Sequence, residues 1–309
     1  MAETYSLSFH TIGQHKYAAT ELETGYSLQK TIVVISIPIC ILGLLGNAII
    51  FCLLCCSIKK TNFTVYFLNL VVADFVVLIY YVIVFALFLK AVPISLYSLN
   101  IMELAHAFGF NAKTYVLTAI TAERYVMVFS PAWYQLHRPK HFSEIMCTIL
   151  WGLSGMLAII LYYSCYLETD TLLMETNQHC EPTKMARVII NLLVFLPIMV
   201  FSTYLIFTRM LSVSQETPLR RLDITIVATV LLFLIFAASV RIIEIIARWV
   251  PKIHIPILFL ILHFLDAIDS SGNPYVYLIV GYSKTKTDCE KPLQTLLERA
   301  LLDDGTTEM

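Results

Sequence analysis

Long apolar runs alternate with short polar gaps along most of the chain. Each run is at least as long as the roughly 20 residues that cross a bilayer as a helix. The runs cover residues 31–56, 64–89, 101–128, 145–166, 186–211, 222–249 and 254–281. The pattern predicts an all-α membrane protein whose single bundle of seven spans occupies residues 31–281. Residues 1–30 form a preceding segment and residues 282–309 a tail.

Composition and charge placement agree with this picture and orient it. Hydrophobic residues make up 58% of the chain and charged residues 14%, whereas soluble domains carry about 25% charged residues. Basic residues flank alternate gaps, among them Lys59 and Lys60 after span one and Arg220 and Arg221 before span six. Because Lys and Arg in short loops remain cytoplasmic, the N-terminal segment is predicted to be extracellular and the tail cytoplasmic.

Two cysteines fall on the predicted outer side of the membrane. Cys165 lies at the end of span four and Cys180 in the gap that follows, while the other cysteines lie within spans or in the tail. Disulfides form in oxidising compartments, and two thiols permit one intramolecular pairing. A Cys165–Cys180 disulfide is therefore the first interpretation, with two free thiols as the alternative.

The tail contains a short amphipathic pattern. Apolar residues recur at helical spacing among charged ones, at Leu293, Leu296, Leu297 and Ala300. This spacing predicts an interfacial helix on the inner leaflet. Cys289, near the start of that segment, is a candidate for palmitoylation, and an unmodified thiol is an equal alternative.

Three ionisable residues share one depth near the middle of the membrane. At the helical rise per residue, Lys113 lies about 16 Å from Arg124, at the inner end of span three. By the same rise, Asp74 and Asp269 lie about 15 and 18 Å from the inner ends of spans two and seven. An unpaired buried charge would cost several kcal/mol, so the shared depth predicts that these three side chains pair.

A second charged group lies in the outer half of the predicted bundle. It comprises Glu103, His106, Arg241, Glu244, His263 and Asp266. Ionisable residues inside membrane spans usually face a cavity, so this group is the candidate ligand-binding site. Arg241 could hold a carboxylate, and Asp266 or Glu244 an amine. The structural alternative is that Glu244 pairs with Arg241 within one helix, three residues away.

Six short motifs occur in order on the expected spans. They are "GN" at 46–47, "NLVVAD" ending at Asp74, "ERY" at 123–125, Trp151, Pro197 and "NPYVY" at 273–277. Together they resemble the rhodopsin-like (class A) G-protein-coupled receptors over nearly the whole chain. The stretches "FGFNAKTYVLTAITAER" and "PAWYQLHRPKH" resemble the Mas-related branch. That branch bridges span four to the following loop, which fits Cys165 with Cys180.

The resemblance implies a plasma-membrane receptor without a cofactor or enzymatic activity. Its expected partners are an extracellular peptide or small molecule, a heterotrimeric G protein, arrestin and the lipid bilayer, but no nucleic acid. Arg124 is expected to meet the C-terminal helix of a G-protein α subunit, and Glu123 to hold Arg124 when no partner is present. The resemblance assigns coupling and activation to Glu123, Arg124, Tyr125, Asn273, Pro274 and Tyr277.

Several positions depart from the family pattern. In relatives, the positions of Asp74 and Asp269 help line a sodium-binding cavity. We hypothesise that the Lys113 ammonium replaces that ion as a tethered cation, with a purely structural ion pair as the alternative. Ala237 and Ser239 stand where a tryptophan and a proline are usual in span six. Leu205 replaces a span-five tyrosine and Leu219 an acid, which leaves Asp223 as a displaced candidate partner for Arg124.

Two other functions remain open at this stage. One is a transporter that uses Asp74, Lys113 and Asp269 as a proton relay, although no inverted repeat is visible. The other is a receptor-like modulator that does not itself signal, which the departures in spans five and six favour. No metal-ligand spacing, glycine-rich phosphate loop or nucleophile arrangement indicates an enzyme.

Overall fold

A computed structural model describes residues 2–90, 95–165, 180–212, 221–249, 256–282 and 292–302, with side chains of the first helix described from Ser27. Every regular element within these ranges is helical. The spans, numbered one to seven, are α1 (Ala2–Cys56), α2 (Asn62–Lys90), α3 (Leu96–Phe129), α5 (Phe142–Cys165), α6 with α7 (Cys180–Ile190, Leu196–Ser212), α8 with α9 (Arg221–Phe233, Ser239–Trp249) and α10 (Pro256–Tyr282). The short helix α4 (Pro131–His137) follows span three, and α11 (Leu293–Leu301) is the C-terminal helix.

Burial distinguishes the inner spans from the lipid-facing ones. Five helices in the described ranges are long and apolar enough to cross a membrane, corresponding to spans one, two, four, five and six. Half of the apolar window is buried in spans two and six, against 28% in spans one, four and five. Buried ionisable residues lie on spans two, three, six and seven, among them Asp74, Lys113, Arg241 and Asp269. The bundle therefore places its polar residues where lipid cannot reach them.

Small residues in span one allow it to approach span seven closely. A Cβ added at Gly43 would overlap the Ser271 side chain, and one at Gly46 would lie 3.1 Å from the Pro274 Cβ. The Asn47 amide then reaches across to donate to the carbonyl of Ser270 at 3.2 Å. The Gly-Asn motif thus joins spans one and seven beside the polar centre of the bundle.

The disulfide predicted from cysteine placement is confirmed. Cys165, the last residue of span four, bonds to Cys180, the first residue of span five, with their Cα atoms 4.5 Å apart. We call this side of the bundle the disulfide end. The opposite side, where Arg124 lies near the end of span three, is the Arg124 end.

Among the described residues, two π-helical turns interrupt the spans, at Asn191–Phe195 in span five and Leu234–Ala238 in span six. The second turn includes Ala237 and immediately precedes Ser239, the positions where the family's tryptophan and proline are missing. Ser239 Oγ lies within hydrogen-bonding distance of the carbonyls of Ile235, at 2.5 Å, and Phe236, at 2.9 Å. Such back-bonding and π-turns both bend helices, so span six retains a local irregularity without proline.

The predicted tail helix forms, and part of its apolar face packs against the bundle. Leu297, Ala300 and Leu301 are buried within the protein, at 0–1% exposure. They belong to the same apolar core as Leu222 and Tyr277 of spans six and seven. The position on the inner leaflet stays a prediction, and the structure adds that spans six and seven cover the later part of the apolar face. Cys289 lies outside the described residues.

Candidate functional site

The three residues that share a depth in the sequence meet in the centre of the bundle. Lys113 Nζ lies 2.7 Å from Asp74 Oδ1 and 2.5 Å from Asp269 Oδ2. It also donates to Ser270 Oγ at 3.0 Å. All three charged side chains are at most 2% exposed. Span three thus supplies the cation and spans two and seven the two anions, so this centre joins three helices.

The polar centre continues toward the Arg124 end through span seven. Asn273 Nδ2 donates to Asp74 Oδ2 at 2.7 Å, so both oxygens of that carboxylate face a donor. One turn further along the same helix, Tyr277 is fully buried and packs edge to face with Phe67, with the ring centroids 5.3 Å apart. Its hydroxyl has no hydrogen-bond partner within the described ranges. This tyrosine therefore has an unused donor in the described conformation.

At the disulfide end, a buried arginine lies between two acids. Arg241 donates to Glu244 at 2.8 Å from one guanidinium nitrogen, and a second nitrogen contacts Asp266. Its Cζ also lies 4.2 Å from the centroid of the Phe110 ring, a distance at which a cation is attracted to the ring face. Arg241 and Asp266 are buried, at 7% and 4% exposure.

Tyrosine and histidine side chains complete this outer cluster. The Tyr81 hydroxyl donates to Asp266 at 2.9 Å and also contacts His106 Nε2 at 2.9 Å. Because a hydroxyl has only one proton, His106 Nε2 must donate in the second hydrogen bond. His263 Nδ1 contacts the carbonyl of Phe259 at 2.8 Å, which fixes it as a donor. Nε2 of a neutral His263 ring can then accept from the Tyr80 hydroxyl at 3.4 Å.

Hydrogen bonds and ion pairs bring together His106, Arg241, Glu244, His263 and Asp266 of the residues predicted for the ligand site, and the sixth, Glu103, interacts electrostatically with Tyr80. Glu103 is half-buried and lies one helical turn from His106 toward the disulfide end. Sequence reasoning missed Tyr80, Tyr81 and Phe110. The signal for the tyrosines was their position about 10 Å along span two from Asp74, although spacing alone could not show that they face inward.

At the Arg124 end, the arginine of the Glu-Arg-Tyr motif is paired with span six. Arg124 Nε lies 2.5 Å from Asp223 Oδ1, and its Cζ is 5.6 Å from the Phe63 ring centroid. The Arg124 residue is fully buried. Asp223 was the displaced candidate in the sequence, and the contact confirms that it reaches the arginine. The pair joins spans three and six at the end that a partner would enter.

Glu123 has partners of its own. Its Oε1 accepts from Tyr134 at 2.6 Å and from Arg138 at 2.8 Å, while Oε2 accepts from Tyr66 at 2.6 Å. Burial and the neighbouring Glu123 raise the pKa of Tyr134, so its hydroxyl remains a donor at neutral pH. Glu123 therefore fastens α4 and span two to span three, a different role from the predicted hold on Arg124. Tyr125 packs against Phe129, with ring centroids 4.9 Å apart.

Comparison with known proteins defines the class. The model of the 7 transmembrane receptor (rhodopsin family) matches residues 46–277, well over half of the chain. The chain belongs to this family of membrane receptors, whose members are not enzymes, and it is a multi-pass plasma-membrane protein.

Within the family, the chain resembles Mas and the Mas-related receptors. It is 31% identical to the proto-oncogene Mas of Rattus norvegicus over 277 residues, covering 85% of this chain and 81% of the relative. The human Mas-related G-protein coupled receptor member X1 is 30% identical over 292 residues, covering 92% and 87%. The mouse member B2 is 32% identical over 292 residues, covering 90% and 83%. The family resemblance predicted from sequence is thus confirmed.

Proposed function

We propose that this receptor binds an extracellular peptide or small molecule at the disulfide end and activates heterotrimeric G proteins at the Arg124 end. The N-terminus and the disulfide would be extracellular, in agreement with the basic residues near the Arg124 end and with disulfide formation in oxidising compartments. Arrestin would bind the same end as the G protein.

The observation that carries the proposal is a series of buried polar residues that leads from the outer cluster to the centre of the bundle. Asp266 of the outer cluster lies one helical turn from Asp269, which pairs with Lys113. Lys113 pairs in turn with Asp74, which accepts from Asn273. Buried charges in a membrane bundle are expensive and usually functional. A ligand that exchanged the partners of Arg241 or Asp266 would act directly on span seven.

The mechanism is a shift between two conformations. In the described conformation, Asp223 pairs with Arg124 and the Tyr277 hydroxyl is unused. A ligand that binds more tightly to a second conformation, in which Arg124 is released, would shift the population toward that conformation. The freed guanidinium offers five donors, which suits backbone carbonyls at the end of an inserted helix.

The role of Lys113 follows from its place in this connection. We propose that its ammonium acts as a tethered cation where relatives hold a sodium ion, so that no free cation is needed between Asp74 and Asp269. Its contact with Ser270 as well as both carboxylates supports this, since three oxygen ligands surround the nitrogen. The structural alternative assigns the same contacts to stability alone.

Signalling should change in opposite directions in two variants at the Arg124 end. Arg124→Ala should remove G-protein activation. Asp223→Asn should raise basal activation by about tenfold, because it weakens a charge-assisted hydrogen bond that only the closed conformation makes. The measurement is basal activation across the G-protein subtypes in cells. Expression would be matched by an N-terminal epitope on intact cells, whose accessibility also tests the orientation.

Glu144→Gln is the matched control for Asp223→Asn. Its carboxylate lies near the same end, but its pair with His141 is exposed, so its loss should leave activation unchanged. If Arg124→Ala and Asp223→Asn both matched a silent wild type, G-protein coupling would lose its support. A modulator without its own signal, the function that Ala237, Ser239 and Leu205 favour, would then be the better interpretation.

A further inference from the structure

The C-terminal helix α11 connects the inner ends of spans six and seven, beside the Arg124–Asp223 pair. Thr225 Oγ1 of span six lies 2.9 Å from the carbonyl oxygen of Ala300 in α11. Thr225 comes two residues after Asp223 on the same helix. At the other end of α11, Gln294 donates to the carbonyl of Ser57, at the end of span one, at 3.0 Å. The helix thus contacts three spans through its own side chains and backbone.

The backbone of α11 approaches span seven at Gly281 more closely than any side chain at that position would allow. A Cβ added at Gly281 would overlap the carbonyl oxygen of Leu296 and lie 2.7 Å from its carbon. Both atoms belong to the backbone of α11, so they could not rotate away. The carbonyl of Gly281 also accepts from Arg221 of span six at 2.7 Å. Spans six and seven are therefore joined directly and also through α11.

The apolar face of α11 is buried as completely as the centre of the bundle. Leu297 is 0% exposed, Ala300 0% and Leu301 1%. Leu293, one turn before Leu297 at the start of the helix, is 36% exposed, so the tight burial is confined to the later part of α11. In this docked position, Leu297, Ala300 and Leu301 extend the apolar core to the Arg124 end.

We propose that α11 is an autoinhibitory clamp, which holds span six against span seven and must undock before a G protein can reach Arg124. This inference rests on the proposed function. Release of Arg124 requires Asp223 to move away from it, and Asp223 and Thr225 belong to one rigid helix. Movement of Asp223 therefore carries Thr225 away from Ala300 and opens the buried face of α11. Once undocked, the amphipathic helix can lie on the inner leaflet, where its leucines meet lipid.

Two independent substitutions test the clamp from its two sides. Leu297→Gln places a polar group in the buried face of α11, and Gly281→Ala forces the α11 backbone away from span seven. Each should raise basal G-protein activation by roughly tenfold. The reason is that losing the burial of one leucine side chain changes the ratio of undocked to docked receptor by about that factor. Adding Arg124→Ala to either variant should remove the rise.

Matched controls are available on the same kinds of residue. Leu293→Gln makes the same chemical change at the exposed first residue of α11, and Gly152→Ala adds a methyl group where no atom lies within 4 Å. Both controls should keep wild-type basal activation. If a tested variant fails to reach the surface, a receptor that ends at Lys291 and lacks α11 entirely should show the same rise.

The outcomes separate this inference from the proposed function. If Asp223→Asn raises activation in an Arg124-dependent manner while Leu297→Gln, Gly281→Ala and the shortened receptor match their controls, the clamp is refuted and coupling stands. A fall in activation would also refute the clamp, because α11 would then support coupling. If no variant differs from Arg124→Ala, both the clamp and the proposed coupling fail.

Discussion

Replacing Lys113 by methionine should destabilise the receptor by about 3–5 kcal/mol, the usual cost of removing one partner from a buried ion pair. The substitution would leave Asp74 and Asp269 facing each other, both at most 2% exposed, without a cation between them. The expected result is a large loss of surface receptor and a lower midpoint of thermal unfolding after purification in detergent. Lys90→Met, at the exposed end of span two, is the control and should have little effect.

Neutralising both carboxylates should restore the stability that Lys113→Met removes. The triple variant Lys113→Met, Asp74→Asn, Asp269→Asn has no buried charge at the centre, and such neutral replacements are often as stable as the ion pair. It also distinguishes the two roles of Lys113. A purely structural ion pair predicts wild-type basal signalling in the rescued receptor, whereas a switch predicts altered signalling at normal stability.

Sodium provides a second test of the tethered cation. Because Lys113 already contacts both carboxylates, replacing external sodium by a large organic cation should leave the signalling of the wild-type receptor unchanged. A clear dependence on sodium in the wild type would contradict the proposal. The rescued triple variant should be equally insensitive, since it lacks the carboxylates that would bind the ion.

The sequence was sufficient to predict the spans and the central ion pairs for a simple physical reason. Apolar length determines which segments cross a bilayer, and residue count along a helix determines depth. Lys113, Asp74 and Asp269 were therefore predicted at one level, and their contacts at 2.5 and 2.7 Å agree. The Cys165–Cys180 disulfide followed from the number of thiols available on one side.

Apolar length and residue count could not predict how each helix is rotated or which of several possible partners a side chain binds. Depth did not show that Tyr80 and Tyr81 turn toward Asp266 and the histidines. The family resemblance suggested Glu123 as the partner of Arg124, but Tyr66 of span two, Tyr134 of α4 and the adjoining Arg138 all donate to the Glu123 carboxylate.

The tail helix shows the same limit in another form. Its amphipathic pattern correctly indicated a helix with one buried face, with Leu297 on that face. A periodic apolar face does not specify what covers it, since lipid and protein satisfy the hydrophobic effect equally well. The close approach at Gly281 and the hydrogen bond from Thr225 decide for protein, and neither could be read from spacing.

Replacing Arg241 by methionine should be the other severe substitution, with an expected destabilisation of about 3–5 kcal/mol. Asp266 is buried and would lose its cation, while its contact with Tyr81 would remain. The Glu244 carboxylate is 30% exposed, so Glu244→Gln should cost about 1 kcal/mol or less. In thermal unfolding of the purified receptor, Arg241→Met should therefore lower the midpoint temperature much more than Glu244→Gln does. Equal effects would mean that Asp266 does not depend on Arg241.

The double variant Arg241→Met, Asp266→Asn decides whether this cluster serves stability or ligand binding. A buried ion pair replaced by neutral residues of similar volume often leaves stability unchanged or improved. If the double variant is as stable as the wild type, the charges are not needed for folding. Their retention beside two histidines and two tyrosines is then best explained by a charged or zwitterionic ligand that contacts them. A double variant as unstable as Arg241→Met would instead assign the cluster to the framework of the bundle and remove the main support for a ligand site there.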